Sequence, residues 1–208
     1  MIQGRKYGSG RIVVYIKVKR IFDIILSSLG IVVFAIPFVL IAILIQIDDP
    51  GPVFFRQKRV TIHRQYFHIL KFRTMKVSTP KDCPTHLLEN PDQYITHIGR
   101  FLRKTSLDEL PQIFNIFRGN MSVIGPRPAL WNQYDLLTER DKYGANDILP
   151  GLTGWAQING RDEIPIDIKA KLDGEYVKSM GLILDIKIFF LTIFSVLREE
   201  GIQEGKKG

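Results

Sequence analysis

Cysteine is nearly absent from this sequence, since Cys83 is the single cysteine among 208 residues. One cysteine excludes an intramolecular disulfide and any cysteine-based zinc site, and it fits a protein of a reducing compartment. Histidine is also scarce, and the four histidines do not have the spacing of metal ligands. The composition therefore predicts neither a disulfide scaffold nor a metal centre built from cysteine or histidine.

The sequence also lacks any recognisable nucleic-acid-binding module, although its formal net charge is +8 at pH 7. A basic chain implies an anionic partner, and the candidates are nucleic acid, lipid headgroups and phosphorylated substrates. Lysine and arginine are spread along the chain rather than clustered in one module. We therefore expect no nucleic-acid partner, and favour lipid headgroups or phosphorylated substrates.

One long apolar run, Ile21–Ile47, follows a polar and basic segment at residues 1–20. As a helix the run would reach about 40 Å, which is enough to cross a hydrocarbon core of about 30 Å. Pro37 interrupts the helical hydrogen bonding in the middle of the run. Basic residues flank both ends, and the positive-inside rule then prefers both ends in the cytoplasm. A re-entrant helix bent at Pro37 satisfies both observations, and a kinked helix that crosses the membrane is the alternative.

An acidic residue stands near the start of this apolar run, where Asp23 follows Arg20 by three residues. Residues three apart share a face of a helix, so we expect the two side chains to pair near the headgroups. Such a pair would keep the Asp23 carboxylate out of the hydrocarbon.

Two short β-rich runs, Val53–Phe55 and Tyr66–Leu70, follow a turn region rich in aspartate, proline and glycine. Their composition predicts a β-hairpin. Directly after the second run, Lys71 and Arg73 lie two residues apart and therefore share one face of a strand. A solvated strand face and a clamp for a phosphate are both compatible with this pattern.

The apolar spacing from Ile98 to Phe117 is helical but is interrupted around Ser106. The stretch from Ser106 to Glu109 matches the capping-box pattern, with Ser106 as the N-cap and Glu109 as the third helical residue. A helix cap alone explains this pattern. The same geometry would also suit a nucleophile, because the positive end of a helix keeps Asp108 ionised and helps to hold a phosphate beside it.

Two further segments have side chains suited to anionic ligands. In Gly125–Pro128, two prolines fix the backbone around Arg127, which suits either a bidentate phosphate clamp or a rigid surface turn. The segment 150–161 is rich in glycine, and its amides together with Gln157 and Arg161 could bind a nucleotide or a sugar.

Beyond it, the apolar stretch Leu182–Leu197 fits either the membrane interface or the core.

Taken together, the chain resembles the bacterial monotopic phosphoglycosyl transferases. The resemblance covers residues 17–200, and its motifs occur in the same order in the family: Lys71–Met75, Ser106–Gln112, Gly125–Pro128, Pro150–Gln157 and Leu184–Lys187. It implies the minimal catalytic form, without the N-terminal domains of larger relatives. It also implies that the apolar run is re-entrant.

By this resemblance, the chain moves a sugar-1-phosphate from a UDP-sugar to polyprenol (undecaprenyl) phosphate and releases UMP, with Mg²⁺ as cofactor. The first acid, Asp108, is then the nucleophile that forms a covalent aspartyl-phosphosugar intermediate. The second acid, Glu109, assists and helps to organise the metal, so both acids are the implied metal ligands. The reaction would start polysaccharide or glycoconjugate assembly, so glycosyltransferases that act later are possible partners.

The resemblance also implies roles for residues around the acid pair. Arg103, Arg127 and Pro128 would contact phosphate and nucleotide, and Lys71 and Asp173 would support them. Combined with the residues chosen from their own patterns, the predicted substrate-binding set is Lys71, Arg73, Arg103, Arg127, Pro128, Gln157, Arg161 and Asp173.

The sequence as a whole predicts an α+β fold, mostly helical, with a short antiparallel β-hairpin, a re-entrant membrane helix and interfacial amphipathic helices. The expected segments are a basic N-terminal segment (1–20), the re-entrant helix (21–47), a catalytic domain (48–200) and a polar tail (201–208). We expect the chain at the bacterial inner membrane, with its catalytic domain on the cytoplasmic face. The alternatives are a non-enzymatic membrane scaffold and a nucleotide-sugar binding protein.

Overall fold

Regular secondary structure covers most of the part of the chain that this computed structural model describes, which is residues 10–79, 91–160 and 164–197. Cys83 and the predicted polar tail lie outside the described residues. The helices and strands follow in this order: α1 (Gly10–Val33), α2 (Ala35–Asp48), β1 (Phe54–Val60), β2 (Tyr66–Phe72), α3 (His97–Lys104), α4 (Gln112–Arg118), β3 (Ser122–Ile124), α5 (Tyr134–Asp141), β4 (Gly151–Thr153), α6 (Trp155–Ile158), α7 (Ile166–Ser179) and α8 (Leu182–Leu197). The predicted α+β class, mostly helical with a small antiparallel hairpin, is confirmed.

The long apolar run forms two helices, α1 and α2, which meet at an angle of 59°. The break is at Phe34, so Pro37 lies in the first turn of α2, where its missing N–H removes little helical hydrogen bonding. Within the described residues no single helix has the length and apolar composition to cross a membrane, whereas the bent pair meets both conditions. A re-entrant path and a bend caused by Pro37 stay predictions.

The hairpin of β1 and β2 packs against α4. The two strands are antiparallel and pair Phe54 with Phe72 and Val60 with Tyr66 at their ends. Phe67 and Ile69 are buried and cluster with Ile116 of α4. One face of the hairpin is therefore covered. Lys71 follows Ile69 by two residues near the end of β2 and lies on this same face.

Strands β3 and β4 form a second pair, which is parallel and was not predicted. Ile124 pairs with Thr153, and Ser122 pairs with Gly151. A Cβ atom on Gly151 would lie 2.1 Å from the amide nitrogen of Gly125, so this close approach requires glycine. The pairing brings the glycine-rich segment beside the loop that contains Arg127.

Helix α1, the first helix of the bent apolar pair, is attached to the rest of the chain through polar contacts. The Asp23 carboxylate accepts hydrogen bonds from Ser122 Oγ (3.0 Å) and from the amide of Val123 (2.9 Å). Arg20 instead donates to the carbonyl of Ile116 at 2.7 Å, close to the C-terminal end of α4. The expected pairing of Arg20 with Asp23 is therefore wrong, because β3 and α4 supply each side chain with a different partner.

Helix α8 presents one face to the core and the other to the surroundings. Ile188 is fully buried, whereas Ile183 and Phe194 are 86% and 57% exposed. The helix thus combines the two alternatives left open for it, since it is partly core and partly an exposed apolar face.

The buried carboxylate of Asp185 joins α8 to α1 and α7. It accepts hydrogen bonds from the hydroxyls of Tyr15 (2.7 Å) and Tyr176 (2.8 Å), and it forms an ion pair with Lys19. Because a desolvated charge is costly unless it is paired, these three contacts stabilise the buried Asp185 carboxylate. The cluster fixes α8 against the first helix of the chain.

We expect Asp185→Ala to lower the free energy of unfolding by about 3–5 kcal/mol, because it leaves the Lys19 ammonium without its buried counter-ion. Denaturant unfolding of the protein in detergent micelles would measure the change. Asp167→Ala, at an exposed position in α7, is the control and should change the free energy little. Equal losses in the two variants would contradict the coupling of α8 to α1.

Candidate active site

The acid pair lies in a short 3₁₀ turn, Leu107–Glu109, between α3 and α4. The preceding residue, Ser106, has left-handed backbone angles (φ 56°, ψ 16°) and its side chain makes no capping hydrogen bond. The predicted capping box is therefore wrong, because an N-cap needs an extended backbone and Glu109 uses its carboxylate elsewhere. The N-cap with a side-chain hydrogen bond belongs to the preceding helix, α3: Thr96 Oγ1 accepts a hydrogen bond from the amide of Gly99 at 2.9 Å.

Cations from two other segments converge on the acid pair. Lys71 Nζ lies 2.7 Å from Glu109 Oε1 and 3.6 Å from Asp108 Oδ2. Arg127 Nη2 donates to the same Glu109 Oε1 at 3.0 Å. The Asp108 side chain is 13% exposed, so it is largely shielded from water but reachable from outside. The structure therefore brings four predicted site residues into one cluster.

The two adjacent acids have pKa shifts of opposite sign. Burial raises the pKa of Asp108, an effect that Lys71 opposes and the neighbouring Glu109 carboxylate reinforces. Burial also acts against the charged form of Glu109, but Arg127 and Lys71 outweigh it and hold the pKa of Glu109 well below its usual range. The cations thus favour the charged form of Glu109, while burial makes Asp108 the more basic carboxylate.

Arg103 and Arg73 have different surroundings, although both are predicted to contact substrate. Arg103 donates through Nε to Thr74 Oγ1 at 3.0 Å, and its charge lowers the pKa of Asp108. Arg73 is 8% exposed and pairs with the Asp49 carboxylate at the end of α2. Lys71 and Arg73 therefore do not meet in one clamp, because the Lys71 side chain reaches Glu109 and the Arg73 side chain reaches Asp49.

Three further residues of the predicted set, Asp173, Pro128 and Gln157, each have different surroundings. Asp173 is 1% exposed and pairs with Arg140 of α5. The carbonyl of Pro128 accepts a hydrogen bond from Arg59 at 2.9 Å. The side-chain amide atoms of Gln157 are buried, and the described part of the chain offers them no hydrogen-bond partner. Arg161 lies outside the described residues.

Sequence reasoning missed Arg140 and Asp49, which hold predicted site residues in place. Neither has a pattern that marks it, because Arg140 occurs in a polar helical stretch and Asp49 in a turn. Their partners distinguish both residues from ordinary surface charges, and Arg140 is also buried.

The acid pair offers two carboxylates, those of Asp108 and Glu109, to a divalent metal ion. Among the residues described, no group of three or more histidine, cysteine, aspartate or glutamate side chains could hold a metal ion. Mg²⁺, however, often binds through one or two carboxylates and completes its shell with water and substrate phosphates. Asp108 and Glu109 therefore fit Mg²⁺ that is shared with a phosphorylated substrate, and they do not form a complete metal cage.

A turn that presents two acids among cations, beside a bent apolar helix pair, is compatible with a transferase that handles phosphorylated sugars. Comparison with known families is consistent with this class, since residues 14–199 match the family model described as bacterial sugar transferase. The chain belongs to the bacterial sugar transferase family. Both the predicted family and the predicted enzyme class, a transferase of phosphoglycosyl groups, are confirmed, which sets aside the two non-enzymatic alternatives.

Similar proteins come from several bacteria. The chain is 39% identical over 187 residues to the uncharacterized sugar transferase EpsL of Bacillus subtilis, covering 89% of this chain and 90% of that protein. It is 40% identical over 184 residues to the UDP-glucose:undecaprenyl-phosphate glucose-1-phosphate transferase of Escherichia coli, covering 85% of this chain. That match spans only 39% of the longer Escherichia coli protein. The exopolysaccharide production protein ExoY of Rhizobium meliloti is 36% identical over 197 residues, covering 88% of this chain and 87% of that protein.

We expect Lys71→Met to raise the pKa of both Asp108 and Glu109, because the Lys71 ammonium stabilises both charged forms. Carboxyl-carbon NMR during a pH titration would measure the two values. Lys178→Met, at an exposed position of α7, removes the same charge away from the site and should leave both titrations unchanged. If Asp108 titrated identically in the Lys71 variant and the unaltered protein, the cation would not control this site.

Proposed function

We propose that this chain transfers a sugar-1-phosphate from a UDP-sugar to polyprenol phosphate, undecaprenyl phosphate in bacteria, and releases UMP. The observation that carries the proposal is the convergence of Lys71 and Arg127 on the Asp108–Glu109 pair. The similarity to the UDP-glucose:undecaprenyl-phosphate glucose-1-phosphate transferase of Escherichia coli supports it. The product would be the first lipid-linked intermediate for glycosyltransferases that act later.

Asp108 is the nucleophile in this proposal, because it is the more basic of the two acids. Its carboxylate oxygen attacks the sugar-bearing phosphorus, the bond from this phosphorus to the bridging oxygen breaks, and UMP leaves with that oxygen. An oxygen of polyprenol phosphate then attacks the same phosphorus and releases the Asp108 carboxylate. Glu109 is a poor nucleophile by comparison, since its charge is stabilised by Lys71 and Arg127.

Charge neutralisation is the main demand of this reaction, because a carboxylate must approach a diphosphate that is itself anionic. Lys71 and Arg127 supply positive charge from the protein, and Arg103 adds to the field at Asp108. Asp108 and Glu109 would hold Mg²⁺ together with oxygens of the diphosphate. When bound, Mg²⁺ supplies further neutralisation as a Lewis acid.

A membrane position follows from the acceptor, since a polyprenol tail stays in the bilayer and presents its phosphate at headgroup depth. The bent pair of α1 and α2 would enter the bilayer and return to the same side, with apolar side chains such as Ile36 (73% exposed) facing lipid. Asp23 and Arg20 attach α1 directly to β3 and α4. The catalytic domain would then lie on the cytoplasmic face of the inner membrane.

We expect Asp108→Asn to reduce UMP release by on the order of 10³-fold or more, because an amide cannot replace the carboxylate nucleophile. The assay contains purified protein, a panel of UDP-sugars, polyprenol phosphate and Mg²⁺. Without the acceptor, intact-mass analysis of the unaltered protein should detect a phosphosugar adduct that Asp108→Asn lacks. Asp167→Asn is the matched control, and UMP release that survives Asp108→Asn unchanged would refute the assignment.

The membrane path is tested by labelling single cysteines after Cys83→Ser. Val14→Cys and Tyr66→Cys introduce exposed thiols in the first turns of α1 and beyond the end of α2. The re-entrant path predicts that an impermeant thiol reagent labels both from the cytoplasmic side of membrane vesicles, and neither from the other side. Ile36→Cys near the bend should stay unlabelled because the bilayer covers it. Labelling of the two ends from opposite sides would instead establish a membrane-crossing helix.

A further inference from the structure

A buried ion pair joins α5 to α7. Arg140 Nε and Nη2 lie 2.8 and 2.7 Å from Asp173 Oδ2. The two side chains are 4% and 1% exposed, so a substrate cannot reach the Asp173 carboxylate as it stands. The geometry therefore argues against direct substrate contact by Asp173 and calls for another role.

The same guanidinium makes a third contact, with the loop that contains Arg127. Arg140 Nη1 donates to the backbone carbonyl of Arg127 at 3.0 Å. The Arg127 side chain in turn donates to Glu109 Oε1 at 3.0 Å. A continuous chain of contacts thus leads from Asp173 through Arg140 and Arg127 to the catalytic turn.

The loop depends on such contacts because Pro126 and Pro128 have no N–H groups with which to hold their own backbone. Three successive carbonyls are held by separate donors instead. The amide of Gly151 donates to Pro126 at 2.9 Å, and Arg59 donates to Pro128 at 2.9 Å. Arg140 holds the carbonyl between them, which belongs to the residue whose guanidinium enters the site.

We propose that Arg140 and Asp173 are positioning residues, which fix the Arg127 backbone so that its guanidinium stays on Glu109 and on the substrate phosphate. Asp173 orients the planar fork of Arg140, and the remaining N–H of that fork holds the loop. The inference rests on the proposed function in so far as Arg127 acts on substrate. The positioning itself is a property of the folded chain.

The first test is Arg140→Lys, which keeps a buried positive charge for Asp173 but lacks the rigid fork that reaches Arg127 at the same time. We expect kcat/KM for UMP release to fall about 10- to 100-fold, the size of effect expected from a small misplacement of a catalytic group. In an Arg127→Ala background the same substitution should have no further effect. Arg64→Lys, at an exposed ion pair, is the matched control and should retain full activity.

A second variant separates positioning from stability and serves as the test if Arg140→Lys unfolds the chain. The double substitution Arg140→Met with Asp173→Leu removes both buried charges, and apolar replacements of buried ion pairs often preserve stability. A purely structural pair predicts that this folded variant keeps its activity. The positioning role predicts the same 10- to 100-fold loss, again abolished in the Arg127→Ala background.

A readout independent of the reaction is the titration of Asp108, whose pKa Arg127 helps to lower. Both Arg140 variants should raise the pKa of Asp108 in the same direction as Arg127→Ala does, as measured by carboxyl-carbon NMR. Absence of UMP release by the unaltered protein would overturn the proposed function and leave this readout intact. Full activity together with an unchanged Asp108 titration in the double variant would overturn the positioning role.

Discussion

The carboxylate of Glu109 is the contact on which the rest of the site depends. It accepts hydrogen bonds from Lys71, at the end of the hairpin, and from Arg127, in the loop after β3. These two cations come from separate segments and would repel each other without a shared anion. Because Glu109 satisfies both, the turn, the hairpin and the loop meet at one point. The Asp108 carboxylate lies at the same point, with its Oδ2 atom 3.6 Å from Lys71 Nζ.

Adjacent acids with opposite pKa shifts divide the work of this site. Glu109 is held charged and organises the cations, whereas burial leaves Asp108 the more basic carboxylate.

The same site is connected to the apolar helices, since Asp23 of α1 holds the strand that precedes the Arg127 loop. Helix α1 and the loop that contains Arg127 are therefore connected through β3, and the position of one constrains the other.

Local pattern predicted the hairpin and the extent of α8, because alternation and apolar spacing are properties of neighbouring residues. It failed at Ser106, where a capping-box sequence adopts a left-handed turn instead of an N-cap. It also grouped Lys71 with Arg73, although their side chains reach different carboxylates. Both errors have the same origin, since the competing partners come from segments distant in the sequence. Arg140 was missed for this reason too.

By itself, the sequence determined the helical character, the long apolar segment and the adjacent acids, because these follow from residue order and composition, and its motifs carried the resemblance to the family. The tertiary structure decided which cation meets which acid, and it set the opposite pKa shifts of Asp108 and Glu109. It also revealed the parallel pairing of β3 with β4 and the buried pair behind Arg127. The reason is physical: desolvation and charge pairing depend on distances across the fold, and a linear pattern does not contain those distances.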